Sequence, residues 1–558
     1  MGKYNTKKEA VQPTEINYMG EKAFKMEDKE LLVSTVMTTF LQNTYYEKES
    51  EIVDRITDLI KKVDPLFAAK LSIYARNEGN LRSVTHLMAA SLAQHISGKD
   101  WAKRYYSRIV VRPDDMSEIV SAYASLNGMK LSDIKKIPNS IKKGFKEVLE
   151  RLDAYQIDKY KMKNREVSLI DLVRLFHPKG TQKNAEAYQR LVEGKSLADL
   201  YESKILEKEM TKAGQVTKDA TEEEKEEAKR EAIVSVLENV KGMPIMNLLR
   251  NLRNIILYAP EKIEEACRQL TLTDKVLNSR LLPFRFATAY AEIEKMKYEP
   301  TKTTSKSEIL FESEISTNKL SLEEFMEAKR KVLDAIETAI EISCQNIPEL
   351  EGKTAILVDD SGSMRGDSWG DSRVSAFSKT NTAMIGHLFA SMMAWRQHDV
   401  YVGLFGDRLI SVPFERDCRL LDFNKKSYRK GDECGYGTEQ GIYTFLEQVV
   451  DEKKKIDNII VFSDCQIGTG KGAFTSWYGT DYRARSESFN KTFKEFRKIN
   501  PNANFIVVNL RQSGGTSVFD KSQRILNIAG WSDKIFDTIK SNCKGWDAII
   551  KEIEAVEI

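Results

Sequence analysis

The sequence predicts a protein in two parts, an α-helical solenoid followed by an α/β domain. Two patterns lead to this prediction. Apolar residues recur at spacings of three and four through the first part, and β-branched apolar runs alternate with helical stretches after residue 352. A chain of 558 residues has room for both parts, because domains commonly hold about 100–150 residues. The predicted domains are residues 1–345 and 346–558.

The helical periodicity is clearest in five early segments. They are LLVSTVMTTFLQ (31–42), EIVDRITDLIKKV (51–63), PLFAAKLSIYAR (65–76), VTHLMAASLAQHI (84–96) and EIVSAYASL (118–126). Each predicted helix has one apolar stripe that it cannot bury alone, and stacking successive helices side by side buries those stripes. The polar stretches 207–231 and 301–308 are expected to be exposed, and a helix begins in the later half of the first.

Four apolar runs predict the strands of the second part. They are KTAILVD (353–359), VYVGLFG (400–406), NIIVFSD (458–464) and NFIVVNL (504–510). Helical stretches lie between them at 372–397 and 438–450, which favours a mostly parallel sheet covered on both faces. Ligands of such sheets bind beyond the carboxyl ends of the strands, so these ends are the expected place for a site.

The composition excludes several classes of protein. Charged residues make up 30% and the formal net charge is +3, so the composition is that of a folded protein and charge must be read locally. The six cysteines include no CxxC pair, which argues against a disulfide framework or a zinc ribbon and for a reducing compartment. We expect neither a signal peptide nor a membrane span.

An oxygen-rich motif follows the first predicted strand. Asp359, Ser361 and Ser363 fit D-x-S-x-S, and one carboxylate with two hydroxyls suits Mg²⁺, with Mn²⁺ and Ca²⁺ as alternatives. Three donors underfill a coordination sphere of about six positions. Two further ligands are therefore expected: Thr438, which follows a glycine-rich loop, and Asp464, which ends a predicted strand. An ordinary polar turn without metal is the alternative.

Enzyme catalysis is not expected from this motif. A catalytic serine would need a G-x-S-x-G elbow and a histidine partner. His387 and His398 lie in and after a predicted helix, with no evident link to the serines. Asp360 occupies a variable position of the motif, and we interpret it as a side chain that points to solvent; the alternative is an acid that tunes the local field.

A basic stretch spans residues 134–165. It carries ten Lys and Arg against four acids, and Tyr155 and Tyr160 are interleaved with them. Such clusters bind phosphate backbones and stack on unpaired bases, whereas a solvated basic face is the alternative. Arg250 and Arg253 lie three apart on one predicted helix and either bind RNA or pair with acids. The candidates from charge are Lys142, Lys143, Lys146, Lys161, Arg165 and Lys179.

Several segments resemble known families. The run DKYKMKNREVSLIDLVRLFHPKG (158–180), with PIMNLLRNLRNI (244–255), RLLPFRFATAY (280–290) and QNTYY (42–46), resembles the TROVE module of telomerase, Ro and vault proteins. The motif around Asp359, with Thr438 and Asp464 in strand-end order, resembles the metal-ion-dependent adhesion site of von Willebrand factor A domains. A TROVE-like part followed by a von Willebrand A-like part resembles the Ro autoantigen family and its bacterial orthologues. The segment IAGWSDKIFDTI (528–539) also resembles that family.

The resemblance implies a fold and a function. It implies a ring of HEAT-like helical repeats followed by a Rossmann-like von Willebrand A domain, with Lys159, Lys163 and His177 contacting RNA. The RNAs would be small noncoding Y RNAs and the single-stranded 3′ ends of misfolded RNAs, bound for RNA quality control. An exoribonuclease such as polynucleotide phosphorylase would join through an RNA tether. We expect a cytoplasmic monomer; a metal-dependent protein-interaction scaffold is the alternative function.

Overall fold

The computed structural model describes most of the chain. The described residues are 22–39, 48–130, 137–201, 237–279, 283–298, 320–347, 349–366, 380–436, 440–465, 489–511, 525–529 and 546–558, with a few shorter stretches. The chain divides into two compact units. One contains Met1–Leu197 together with Ile347–Ile558, and the other contains Ala198–Asn346. The predicted domains divide the chain by sequence pattern, whereas these units divide it by packing.

The first unit begins with a series of helices. Their ends follow local signals: Asp64 accepts a hydrogen bond from the main-chain nitrogen of Phe67, and Pro65 occupies the first helical position after it. Neighbouring helices bury their apolar stripes against one another. The helices are α1 Asp28–Thr38, α2 Glu49–Lys62, α3 Pro65–Asn77, α4 Ser83–His95, α5 Ala102–Ile109, α6 Pro113–Leu126, α7 Asn139–Arg151, α8 Ala154–Lys159, α9 Leu169–Phe176 and α10 Ala185–Glu193.

A buried carboxylate joins three of these helices. Asp115, at the start of α6, accepts hydrogen bonds from Arg76 (3.0 Å) and Arg82 (2.9 Å), and His86 Nε2 lies 3.0 Å from its Oδ1. The main-chain nitrogen of Arg112 donates to the same carboxylate. Burial raises the pKa of Asp115, but the hydrogen bond with His86 and the charge of Arg76 outweigh it and hold the pKa below its usual value. The carboxylate of Asp115 is therefore ionised in the folded protein and links α6 to α3 and α4.

The second unit is helical. Ser321 caps its longest described helix and forms a capping box with Glu324. Phe325, Val332 and Ile336 lie on the buried stripe of that helix, which packs against the others of the unit. The helices are α11 Ile245–Tyr258, α12 Ile263–Leu270, α13 Thr273–Asn278, α14 Pro283–Glu294 and α15 Leu322–Ser343.

The α/β part of the first unit is built on a mixed sheet of six described strands. The strands are β3 Thr354–Asp359, β4 Val400–Phe405, β5 Leu409–Ser411, β6 Asn458–Ser463, β7 Asn504–Asn509 and β9 Ile525–Ala529. Their order in the sheet is β5-β4-β3-β6-β7-β9, with β5 antiparallel to β4 and the other neighbours parallel. The intervening helices are α16 Gly362–Arg365, α17 Thr382–Arg396, α18 Leu420–Gly431, α19 Gln440–Asp451, α20 Phe489–Ile499 and α21 Trp546–Glu554.

The last described helix of the chain packs on the first ones. In α21, Glu554 forms an ion pair with Lys29 of α1 (2.8 Å), and Glu552 accepts a hydrogen bond from Tyr74 of α3. Asn509, at the end of β7, donates to Ser34 of α1. Short strands reinforce this connection: β2 (Lys22–Lys25) pairs with both β1 (Glu15–Ile16) and β8 (Thr516–Ser517).

Some features predicted from the sequence lie outside the described residues. They are residues 42–46, 207–229, 301–308 and 530–539, and Thr438. Of the helices described, none combines the length and the apolar character that crossing a membrane requires.

We predict that Asp115→Asn lowers the free energy of unfolding by about 3–5 kcal/mol, because it leaves Arg76 buried without its counter-charge. The folded-state pKa of Asp115 is lowered, so its stabilisation is present above about pH 4 and is lost as the pH falls through the folded-state value. Urea unfolding at pH 7 and at successively lower pH measures both effects.

The matched control is Asp58→Asn, which removes an exposed ion pair with Lys61. This control should leave the urea midpoint almost unchanged. A midpoint for Asp115→Asn as high as that of the control would contradict the structural role of Asp115.

Candidate functional site

Four of the five predicted metal ligands come together beyond the carboxyl ends of β3 and β6. Asp359 accepts a hydrogen bond from the main-chain nitrogen of Ser361 (3.0 Å) and one from the Ser463 hydroxyl (2.6 Å). The hydroxyl oxygens of Ser361 and Ser363 lie 3.2 Å apart. Asp464 follows β6, and all four side chains are buried. We refer to Asp359, Ser361, Ser363 and Asp464 as the oxygen cluster.

The loop that carries the fifth predicted ligand lies against the first. The main-chain nitrogen of Gly362 donates to the carbonyl oxygen of Tyr436 at 3.0 Å. This bond holds the chain two residues before Thr438 beside the serines, although Thr438 itself lies outside the described residues.

The electrostatics of the oxygen cluster favour a cation. Burial and the charge of Asp464 raise the pKa of Asp359 to about 8. Carboxylate and hydroxyl oxygens are the hard ligands that Mg²⁺ takes, so the donor set fits such an ion. Hydroxyls are needed to complete it, because no three His, Cys, Asp or Glu side chains in the described part of the chain are grouped as metal ligands.

Asp360 faces inward, so the interpretation that it points to solvent is wrong. Its carboxylate is fully buried, accepts a hydrogen bond from Arg365 Nε at 2.7 Å, and lies 2.9 Å and 3.0 Å from His387 Nε2. His387 is also linked to Ser427 of α18 through its Nδ1 (2.9 Å). His387 is thus joined to the motif through Asp360 and not through its serines.

Arg365 extends this cluster toward the second loop. Its guanidinium lies 4.2 Å from the centre of the Tyr428 ring and forms an ion pair with Asp432. Asp432 lies on the segment that leads to Tyr436 and Thr438. The Asp360 network, made of Asp360, Arg365, His387, Tyr428 and Asp432, thus joins both loops of the oxygen cluster to α17 and α18.

The basic segment, residues 142–179, lies on α7 to α9 and the turns after them. Phe145 of α7 contacts Phe176 of α9 edge to face at 5.7 Å. Glu150 accepts a hydrogen bond from the main-chain nitrogen of Lys179, and its carboxylate lies 4.0 Å from Lys146 Nζ. Most of the predicted cations are exposed or half-buried here: Lys142, Lys143, Lys146, Lys159, Lys163, Arg165, His177 and Lys179.

Two residues of the basic segment have distinctive surroundings. His177 ends α9 with a left-handed backbone (φ 47°), and its side chain is exposed. Lys161 differs from the other cations, because its side chain is mostly buried and pairs with buried Asp158 at 2.6 Å. Burial lowers the pKa of Lys161. Its ammonium is therefore less available to a phosphate than those of its neighbours.

The two arginines predicted on one helix lie in the second unit. Arg250 and Arg253 are exposed on α11. Burial and the charge of Arg250 lower the pKa of Arg285 on α14. Arg285 therefore adds a positive charge near Arg250, which the sequence does not reveal because the two helices are separate in it.

A family comparison identifies the helical part. The family model described as the TROVE domain matches residues 21–242 and 235–352, which together make up more than half of the chain. The chain belongs to the TROVE family. This match confirms the resemblance predicted from the segments at 158–180, 244–255 and 280–290.

A solved structure shares the fold of this TROVE protein. The crystal structure of the Deinococcus radiodurans RO (RSR) protein aligns with 93% of this chain and 100% of its own, with a TM-score of 0.54 and 14% identity. That likeness supports the predicted helical part followed by an α/β part. The finer assignments to HEAT-like repeats and to a von Willebrand A domain stay predictions.

Curated relatives match a shorter part of this TROVE protein. Telomerase protein component 1 of Mus musculus is 25% identical over 140 residues, and that of Rattus norvegicus is 23% identical over the same length. Each alignment covers 24% of this chain and 5% of the relative, so the chain spans a small fraction of these relatives. Membership of the TROVE family supports an RNA-binding ribonucleoprotein component.

We predict that Gly431→Ala disturbs the Asp360 network and lowers the melting temperature. A β-carbon at Gly431 would lie 2.4 Å from both the Asp360 carboxylate and the Arg365 guanidinium, so one of them must shift. The matched control is Gly386→Ala on α17, where the nearest atoms lie at 3.4 Å. The control should keep or raise the melting temperature, because alanine favours a helix more than glycine does. Equal melting temperatures for the two variants would contradict the prediction.

Proposed function

We propose that this TROVE protein binds small structured noncoding RNAs of the Y RNA class and the single-stranded 3′ ends of misfolded RNAs. Its role would be RNA quality control or processing. The observation that carries the proposal is the set of exposed cations and half-buried tyrosines on the basic segment. Family membership adds independent support.

The distribution of charge explains how a protein with a net charge of only +3 can bind RNA. Phosphate contacts require a local basic patch, and residues 134–165 carry six more positive than negative charges. Lys159 and Lys163 would neutralise phosphates, and exposed His177 would donate to or stack on RNA. Lys143, Arg165 and Lys179 would extend the same contacts.

The remaining parts of the proposal concern how the protein acts. It would work by binding, without catalysing a reaction. An exoribonuclease such as polynucleotide phosphorylase would be recruited through the bound RNA. We propose a monomer that acts in the cytoplasm, without membrane association.

We further propose that the oxygen cluster holds a divalent cation, most simply Mg²⁺. Asp359, Ser361, Ser363 and Asp464 would hold it, with Thr438 from the second loop. When bound, the cation would offset the negative charge of the two buried carboxylates. As a Lewis acid, it would also offer a coordination position to an acidic group of a partner. The second candidate function, a metal-dependent protein-interaction scaffold, is favoured by Tyr436, which is 65% exposed beside these ligands.

We predict that Lys159→Ala combined with His177→Ala weakens RNA binding, because the pair removes one phosphate contact and one polar contact from the basic segment. A gel shift with a structured Y-like RNA measures the change, which should be at least about tenfold at moderate salt. The matched control is Lys61→Ala with His398→Ala, an exposed lysine and histidine that pair with acids. Equal affinities for the two double variants would count against the proposed surface.

We predict that Asp359→Asn abolishes the stabilisation by Mg²⁺. The folded-state pKa of Asp359 is raised to about 8. Without metal, its contribution to the free energy of unfolding is therefore most favourable below about pH 4, where the carboxyl is protonated in both states. That contribution is lost as the pH rises toward about 8. Near pH 8 in EDTA, Asp359→Asn should therefore be at least as stable as the wild type. Mg²⁺ should raise the melting temperature of the wild type only.

The control for this experiment is Asp399→Asn, which removes an exposed carboxylate near Lys353 and should keep the full response to Mg²⁺. A response to Mg²⁺ that persists in Asp359→Asn would rule out the proposed ligand set. Binding to a Y-like RNA should be largely unchanged in Asp359→Asn; its loss in a folded variant would mean that metal and RNA share one site.

A further inference from the structure

Aromatic rings and cations alternate at the end of α8. Tyr155 and Lys159 lie four residues apart, so their side chains share one face of the helix. Lys159 Nζ lies 5.3 Å from the centre of the Tyr155 ring and 5.8 Å from that of Tyr160, and it donates a hydrogen bond to the Tyr155 hydroxyl at 3.2 Å. The ammonium is therefore held between two rings.

The guanidinium of Arg112, the residue before α6, completes the cluster. Arg112, which precedes α6, lies 5.4 Å from the centre of the Tyr160 ring. Its side chain makes two hydrogen bonds to the Asp114 carboxylate, at 3.0 Å and 2.9 Å. Its main-chain nitrogen is bonded to Asp115. The plane of the guanidinium is thus fixed before any ligand arrives, and a fixed group loses less entropy on binding.

The two cations of this cluster differ in how much charge they offer. Asp114, which also pairs with Arg82, offsets part of the charge of Arg112, and the fixed guanidinium offers a flat surface. Lys159 is bonded to a neutral hydroxyl, which does not offset its charge, and its side chain is exposed. Both tyrosines are half-buried, so part of each ring is anchored and part meets solvent. Flat apolar faces beside an ammonium that forms no ion pair with a described carboxylate suit a base with its adjoining phosphate.

We propose that Tyr155, Tyr160 and Arg112 form a stacking platform for one unpaired RNA base, with Lys159 on the neighbouring phosphate. The platform rests on the proposed function and adds a preference for single strands. A base inside a duplex has both faces covered by its neighbours, whereas an unpaired base can stack on a tyrosine ring or a guanidinium plane. The platform thus selects an unpaired nucleotide next to the part of the RNA that the lysines hold.

The test compares three variants of the full chain on two RNA probes. The variants are Tyr155→Ala with Tyr160→Ala, the same pair changed to Phe, and Lys159→Ala. The probes are single-stranded oligoadenylate and a blunt RNA duplex, and the dissociation constant of each is measured over a range of salt. The Phe pair keeps both rings and serves as the matched control for the loss of the aromatic faces.

The platform predicts a separate result for each variant. The Ala pair should bind oligoadenylate about 5- to 150-fold more weakly, with the slope of affinity against salt unchanged. Its affinity for the duplex should stay near that of the wild type, and the Phe pair should bind both probes like the wild type. Lys159→Ala should weaken both probes and reduce the magnitude of the salt slope by about one.

Three outcomes would overturn the platform. One is an Ala pair that binds oligoadenylate as tightly as the wild type does, and another is an equal loss for both probes. Failure of the wild type to bind either probe would instead overturn the proposed function, and the platform with it. If the Ala pair does not fold, Tyr160→Ala alone replaces it, and the same three outcomes apply.

Discussion

The candidate site depends on one constraint: polar residues that follow the central strand β3 are buried as fully as the strand itself. All six residues of β3 are buried, and so are Asp360, Ser361 and Ser363 beyond it. Apolar side chains at a strand end can be buried without polar partners. Buried carboxylates, in contrast, must be neutralised or paired with positive groups. The loops and helices around the carboxyl edge of the sheet are arranged to meet that requirement.

Two adjacent carboxylates meet the requirement in different ways. Asp360 is compensated within the protein, because Arg365 and His387 contact it and Gly431 leaves room for that contact. Asp359 lies near a second buried carboxylate, that of Asp464, and its pKa is raised. The protein thus supplies positive partners for Asp360, whereas the described donors to Asp359 are the main-chain nitrogen of Ser361 and the hydroxyl of Ser463. This difference supports separate roles: Asp360 holds the loops, and Asp359 would hold the metal.

Periodicity in the sequence was enough to predict the helices, the principal strands and the edge at which the oxygen ligands meet. Those features depend on short-range spacing, which the sequence displays directly. The direction of the Asp360 side chain does not follow from short-range spacing. It depends on a turn and on His387, a histidine 27 residues away. The Asp158–Lys161 pair was within reach of sequence reasoning, because the two residues lie three apart. The basic composition of the segment predicts a phosphate contact for Lys161, whereas its pairing with Asp158 makes its ammonium less available.

The packing of α21 on α1 and α3 has a consequence for how the protein is made. Lys29 and Glu554 are separated by 525 residues, so the first helices emerge from the ribosome long before their partner is synthesised. The second unit, Ala198–Asn346, is continuous in sequence, whereas the first unit joins an N-terminal and a C-terminal part of the chain. The contacts of α21 with α1 and α3 can form only after the C-terminal part has been made, and until then the apolar surfaces they share are open to aggregation.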